Sequence, residues 1–309
     1  MINRIYAFMI AFLEKIRLRL IILRYKFWIH RDKQSTDYLK QLRIMSIEDT
    51  VNYIVQNKCS CTRYGDGEFL VMSGRGNKFQ KRNESLAKRL IEVFQNQNDK
   101  LLICMPSFLT DVSPFVINSQ LTGLGFTHSY LKSSIIPFVP TNILYGDSLF
   151  TRFYMNQRNK KKVKYFIPLL KKLWNKENLL IVEGKYSRLG VGNNLFDNAK
   201  SIKRILCPQE NAFDSYDKIQ ESVLTHYHGE LVILAIGMTA TVLAYDLTKQ
   251  GIRTLDLGHI DVEFEWYLMG AKTKVPILGK QMSEVSNGKC TSSSSNERYL
   301  SQILYDCSN

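Results

Sequence analysis

The chain has 309 residues, enough for one large α/β domain or two small ones with an ample core. Its hydrophobic share of 45% and charged share of 23% are those of a globular protein. The 42 Lys and Arg against 28 Asp and Glu leave a formal +14, which favours anionic partners: phosphate, an acidic membrane surface or nucleic acid. Six cysteines (Cys59, Cys61, Cys104, Cys207, Cys290, Cys307) form no CxxC pair, and no His lies at zinc-finger spacing. That argues against structural zinc and for a reducing cytosol.

Ile2 to Ile29 is apolar but interrupted by Arg4, Glu14, Lys15, Arg17, Arg19, Arg24 and Lys26. Its longest uncharged run, Ile5 to Leu13, falls far short of the ~20 residues that span a bilayer, and no secretory cleavage site follows. Residues 1–33 carry eight Lys or Arg and two Asp or Glu, a local 8 − 2 = +6. This reads either as a basic amphipathic helix on an anionic membrane surface or as a helix docked on the protein's own body or on a partner.

Ser46-Ile-Glu-Asp49 resembles a capping box opening a helix to about Gln56. A short strand from Cys59 to Tyr64 breaks into Gly65-Asp66-Gly67-Glu68; a helix follows over Glu84–Gln97, and a buried strand over Leu101–Met105 stops at Pro106. Thr110 to Pro140 is expected to hold a helix and an irregular loop. Arg152 to Lys176 contains nine Lys or Arg and no acid, with Phe166, Leu169, Leu170, Leu173 and Trp174 at helical spacing, which reads as a helix with a solvated basic face.

The second half alternates strand and helix: a strand at Asn178–Val182, the glycine-rich loop 184–192, a helix to about Lys203, a strand at Arg204–Cys207 and a helix at Tyr216–His226. A strand at Leu231–Ile236, a helix from Gly237 to Gln250 closed by Gly251, and a strand at Thr254–Leu257 complete it. Such alternation predicts a Rossmann-like α/β fold, a mostly parallel sheet flanked by helices, with an extra basic N-terminal helix. Three regions follow: the N-terminal element 1–44, a main domain 45–280, and a polar, Ser-rich linker with a short helix at Glu297–Leu304, spanning 281–309.

In parallel sheets ligands bind at the carboxyl ends of the strands, where the polar motifs fall. Loop 184–192, with Gly184, Ser187, Arg188, Gly190 and Gly192, offers backbone N–H groups, a predicted helix end and a guanidinium to a phosphate. The turn at Gly237, with Thr239 and Thr241, repeats the arrangement. Asp261-Val-Glu263 follows a strand; in extended backbone both carboxylates point to one side and can grip a divalent cation. Asp66-Gly-Glu68 has the same spacing. His259 is either a base or ligand, or a hydrogen-bonded structural residue. Trp266 and Tyr267 either stack on a base or sugar or, the simpler reading, pack in the core.

Taken together, Arg63-Tyr-Gly-Asp-Gly-Glu68, Val182 through Asn194, Asn211-Ala-Phe213 and Gly258 through Trp266 resemble the GT-D-fold glycosyltransferases. That family was formerly a domain of unknown function and serves bacterial adhesin and surface-polysaccharide glycosylation. The resemblance implies a UDP-sugar donor carrying a hexose such as glucose or galactose, a glycan or glycoprotein acceptor, and Mn2+ or Mg2+ held by a DxE motif. It assigns the metal to Asp261 and Glu263 and matches Asp66 and Glu68 to a second acidic signature; joined to the readings above, catalysis is expected of Asp66, Glu68, Asp261, Glu263 and His259, with Asp66, Glu68 or His259 as the base, and donor binding of Arg63, Gly65, Asn193 and Asn211 beside the loop residues already named. A cytoplasmic protein, peripheral on the inner face of the membrane, is expected.

Two other readings stay open: a Rossmann-type oxidoreductase, which lacks a strict dinucleotide fingerprint, and a non-catalytic basic nucleotide- or nucleic-acid-binding protein. The basic residues are not interleaved with aromatic platforms, so no nucleic-acid partner is expected.

Overall fold

Among the described residues nine strands form one parallel sheet, in the order β1-β4-β3-β2-β8-β7-β5-β6-β9. They are β1 (Arg43–Ile44), β2 (Ser60–Arg63), β3 (Leu101–Met105), β4 (Leu144–Asp147), β5 (Asn178–Gly184), β6 (Ser201–Cys207), β7 (Leu231–Ala235), β8 (Thr254–Asp256) and β9 (Ile303–Asp306). The structure is a computed structural model and describes residues 2–282 and 284–308.

Strands β3 and β7, which flank the central pair β2 and β8, are continuous apolar runs. β3 and β7 are buried almost throughout, as parallel strands covered on both faces must be. Helices α1 (Ile2–Arg31), α2 (Lys33–Gln41), α3 (Ile47–Asn57), α4 (Asp66–Met72), α5 (Glu84–Gln95), α6 (Ile117–Leu131), α7 (Lys160–Lys171), α8 (Tyr216–His226), α9 (Thr239–Lys249), α10 (Ile260–Leu268) and α11 (Glu297–Ser301) accompany it. The Ser46 side chain caps α3 by accepting from Asp49 N at 3.1 Å, and Gly251 follows α9 at φ +79°.

The strand order gives the sheet a seam. The first half of the chain lays β2, β3, β4 outward in one direction, and the second half returns from β5 through β7 to β8, which lies beside β2. Side chains tie the seam: Arg63 reaches Asp256 at 2.7 Å, and Thr254 N donates to Ser60 Oγ at 3.0 Å. Such a reversal opens a crevice at the carboxyl edge.

Several expectations change. No helix joins β5 to β6; residues 185–200 are turns, with Arg188, Gly190 and Gly192 at φ +49°, +71° and +83°. Repeated left-handed residues cannot propagate a right-handed helix, and the segment is held instead by Leu189, Leu195 and Phe196 in the core. The 66–68 segment is the first turn of α4 rather than a loop. The tail does not end in a helix to Leu304: α11 stops at Ser301 and β9 pairs with β6. Strands β1 and β4 were not anticipated.

Candidate active site

A cavity of about 660 Å³ crosses the carboxyl edge of the sheet. Residues at or just beyond the carboxyl ends of β2 (Arg63 to Glu68), β4 (Ser148, Arg152), β5 (Gly184, Ser187), β6 (Gln209, Asn211), β7 (Gly237, Met238) and β8 (Gly258, His259, Asp261) line it. Each sits where its strand ends and the chain turns.

Glu68 carries the clearest electrostatic signature. It folds back so that Gly65 N donates to its Oε2 at 2.8 Å, closing the first turn of α4. Burial pushes its carboxyl up to about 7, against the opposing pull of nearby amides and of Arg63. Asp66, on the same turn, lines the cavity. Arg63 is a structural cation: it donates to Asp256 Oδ1, to Asp256 O and to Thr151 Oγ1. Gly258 is required beside it, since a Cβ there would sit 2.0 Å from the guanidinium.

Opposite lies a charged cluster that the sequence did not announce. Glu284 Oε1 meets His259 Nε2 at 2.9 Å and Arg152 at 2.6 Å, and its Oε2 meets Lys274 Nζ at 2.5 Å. Burial opposes ionisation of Glu284, but Arg152 and His259 outweigh it and hold the carboxyl well below the ordinary range. Arg152 joins three residues of the segment 259–284 in this cluster, and no local motif links them.

The N-terminus of α9 faces the cavity through Gly237 and Met238, and no side chain caps it. Gly237 adopts φ +61°. Thr241, however, donates to Arg63 O at 3.0 Å, and Thr239 is buried with its hydroxyl unpartnered, so neither lines the cavity.

The expected phosphate loop divides. Gly184 and Ser187 line the cavity, with Gln209 Oε1 where a Cβ on Gly184 would stand. Arg188 does not contact it; the side chain is buried and donates to Gly279 O at 2.7 Å and to Ser292 O, pinning the C-terminal segment. Gly190 N and Asn193 Nδ2 donate to Asp261 Oδ1 at 2.9 and 2.7 Å, and Gly192 meets open space. Asn211 lines the cavity and accepts from Lys81 N at 2.8 Å, clamping the loop before α5.

The paired-carboxylate reading of Asp261 and Glu263 does not hold. They lie in α10, where residues two apart diverge by roughly 200° about the axis. Asp261 is saturated by Gly190, Asn193 and Lys280 Nζ at 2.6 Å, whereas Glu263 turns away and accepts from Tyr154 N and Met155 N at 2.9 and 2.7 Å. These two residues do not fit a shared cation, and among the described residues no group of three or more His, Cys, Asp or Glu is arranged to hold a metal. Trp266 is fully buried and donates to Val275 O, as core packing.

The site thus combines a cavity at the switch point of a parallel α/β sheet, an uncapped helix end and a carboxyl that burial pushes up. The family model described as glycosyltransferase GT-D fold matches residues 61–285. The chain is 35% identical over 268 residues to "Probable glycosyl transferase Gly" of Streptococcus gordonii, covering 86% of this chain and 39% of that protein. It is 34% identical to "Glycosyltransferase GlyD" of Streptococcus pneumoniae, covering 85% and 32%. It thus spans less than half the length of either curated relative. A solved structure, "A New Glycosyltransferase" from Streptococcus sanguinis, superposes with a TM-score of 0.82 at 35% identity, over 86% of this chain and 99% of that one. Another, of a domain of unknown function, reaches 0.83 at 36% identity over 87% and 97%. The chain belongs to the GT-D-fold glycosyltransferase family.

Proposed function

We propose that this chain transfers a hexose from a UDP-sugar to a hydroxyl of a glycan or glycoprotein acceptor. One observation carries the reading: a single cavity contains both the uncapped N-terminus of α9 and the carboxyl of Glu68, pushed up to about 7. The first suits a diphosphate, since a helix start presents free N–H groups and roughly half a positive charge. The second suits a general base working near neutrality. Membership of the family supports the reaction class, and the Streptococcus relatives are described as glycosyltransferases.

In this mechanism the donor diphosphate lies against Gly237 and Met238, with Ser187 and Gln209 at the neighbouring strand ends. The acceptor hydroxyl approaches Glu68. As the acceptor oxygen bonds to the anomeric carbon, the carbon–phosphate oxygen bond breaks. The electron pair leaves with the nucleotide diphosphate, and the hydroxyl proton passes to Glu68. The dipole of α9 stabilises the charge on the departing diphosphate. Arg152 and Lys274 add positive charge across the cavity, while Glu284 holds His259 in place. No step is assigned to Asp261 and Glu263 through a metal. A nucleotide-sugar donor and six unpaired cysteines fit a reducing, cytoplasmic compartment.

Calorimetric titration of UDP into the protein, with and without Mn2+, tests the donor class. Saturable binding is expected. Equal affinity in both conditions removes the metal from donor binding, and tighter binding with Mn2+ moves its ligands to the cavity-facing acids Asp66 and Glu68. No binding in either condition overturns the proposal.

A further inference from the structure

Helix α1 is 30 residues long, and among its described side chains the buried ones, Ile22 and Ile29, lie in its second half. Ile22 and Ile29 are buried against Val112, Phe115, Leu124 and Leu149, and Tyr25 and Trp28 pack on the His128 ring of α6. At 100° per residue, Met9, Phe12, Ile16, Leu20, Leu23 and Phe27 fall within a sector of roughly 80° that faces away from that contact. All six are exposed, from 39% at Ile16 to 63% at Phe27.

Cations border this stripe on both sides. Lys15, Arg19 and Lys26 lie along one edge and Arg17, Arg24 and Arg31 along the other, all exposed. The helix therefore has two apolar faces separated by basic rows, which is why its overall amphipathicity nearly cancels. The outer stripe advances 18 residues in five steps, a period of 18/5 = 3.6. That is the repeat of a straight helix against a flat surface; a coiled-coil seam needs about 3.5.

We propose that the outer face of α1 docks the protein on an anionic lipid bilayer, with the helix axis in the plane of the headgroups. A flat apolar stripe sinks to the acyl boundary while flanking Lys and Arg reach lipid phosphates. The single acid of residues 6–31, Glu14, is already paired with Arg17. Among the described residues no helix is long and apolar enough to cross a membrane, so α1 lies on it. Helix α6, which receives α1, also lines the cavity through Asn118, Ser119 and Thr122, so docking would set the cavity close to the lipid surface.

Co-sedimentation of the full chain with vesicles tests this, using phosphatidylcholine alone and phosphatidylcholine with a quarter phosphatidylglycerol. The protein should pellet with the anionic vesicles and release as salt rises. Leu20→Ser/Leu23→Ser/Phe27→Ser and Lys15→Glu/Arg17→Glu/Arg19→Glu should each weaken binding at least roughly tenfold. Both sets are exposed, so unchanged circular dichroism and Tm are expected and checked in parallel. Absence of vesicle binding, or equal binding to neutral vesicles, overturns the proposal. So does a concentration-dependent dimer in light scattering that the apolar variant abolishes without any vesicle binding, which would mean that a second copy covers this face.

Discussion

At the scale of single residues, Glu68 and Asp261 show how burial and partners separate two carboxylates that look alike in sequence. Glu68 has few donors and is pushed up to about 7, so transfer should rise as pH climbs through 7 and the base ionises, then level off. Glu68→Gln should lower kcat by about 10²- to 10⁴-fold and abolish that rise, measured as a pH–rate profile with donor saturating. The stability effect has the opposite sign. A folded pKa raised above the ordinary 4.5 means that folding disfavours the ionised form, so stability falls as pH rises from 4.5 through 7. Glu68→Gln, which keeps an acceptor for Gly65 N, should therefore raise Tm at pH 8 while inactivating the enzyme. Asp261 instead compensates Lys280, itself only 5% exposed. Asp261→Asn leaves that ammonium with Glu265 alone, and should cost about 3 kcal/mol in urea unfolding. Adding Lys280→Gln should recover much of this, a coupling that a double-mutant cycle reads.

At the scale of elements, two glycines separate strain from collision. Gly192 sits at φ +83° in open space, so Gly192→Ala should cost only about 1–2 kcal/mol for the left-handed backbone. At Gly258, φ is +43° and a Cβ would displace the Arg63 guanidinium from Asp256, which ties β2 to β8. Gly258→Ala should cost well beyond ~2 kcal/mol, comparable to breaking a buried ion pair, and should disturb nucleotide binding because it acts at the seam beside the cavity. Denaturant titration of both variants, with UDP calorimetry, distinguishes these outcomes.

At the scale of the molecule, the segment carrying Glu284 closes one side of the cavity through Arg152, His259 and Lys274, while Arg188 fastens Gly279 and Ser292 behind it. Because Arg152 and His259 hold Glu284 below its ordinary 4.5, its contribution to stability is present above that value and is lost as pH falls below it. Hydrogen exchange should accordingly show residues 276–292 opening earlier than the sheet when the pH is lowered below 4.5. Glu284→Gln should produce the same selective opening at pH 7. Uniform exchange across the chain in both experiments would refute a separately held segment.

Apolar runs of strand length, separated by helical periods and glycine stops, by themselves determined the parallel sheet and most of its elements. β2, β3, β5, β7 and β8 and the helices α3, α5, α8 and α9 were legible because burial on both faces and capping chemistry leave local traces. The carboxyl-edge location of Arg63, Gly65, Asp66, Glu68, Gly184, Ser187, Gly237, His259 and Asp261 followed from the same pattern, whereas Asn211 was marked by the family resemblance alone. Short edge strands were not legible: β1 has two residues, and β4 and β9 are stabilised by the neighbours they pair with rather than by their own composition. Only the tertiary structure decided what each polar side chain does. Asp261 and Glu263 diverge because Gly258 turns the chain directly into α10, Arg188 is drawn inward by carbonyls about 90 and 100 residues away, and Glu284 meets His259 and Arg152 from a segment with no motif of its own. Hydrogen bonds and ion pairs act over a few ångströms in space, whatever the separation along the chain, and a single sequence records only the latter.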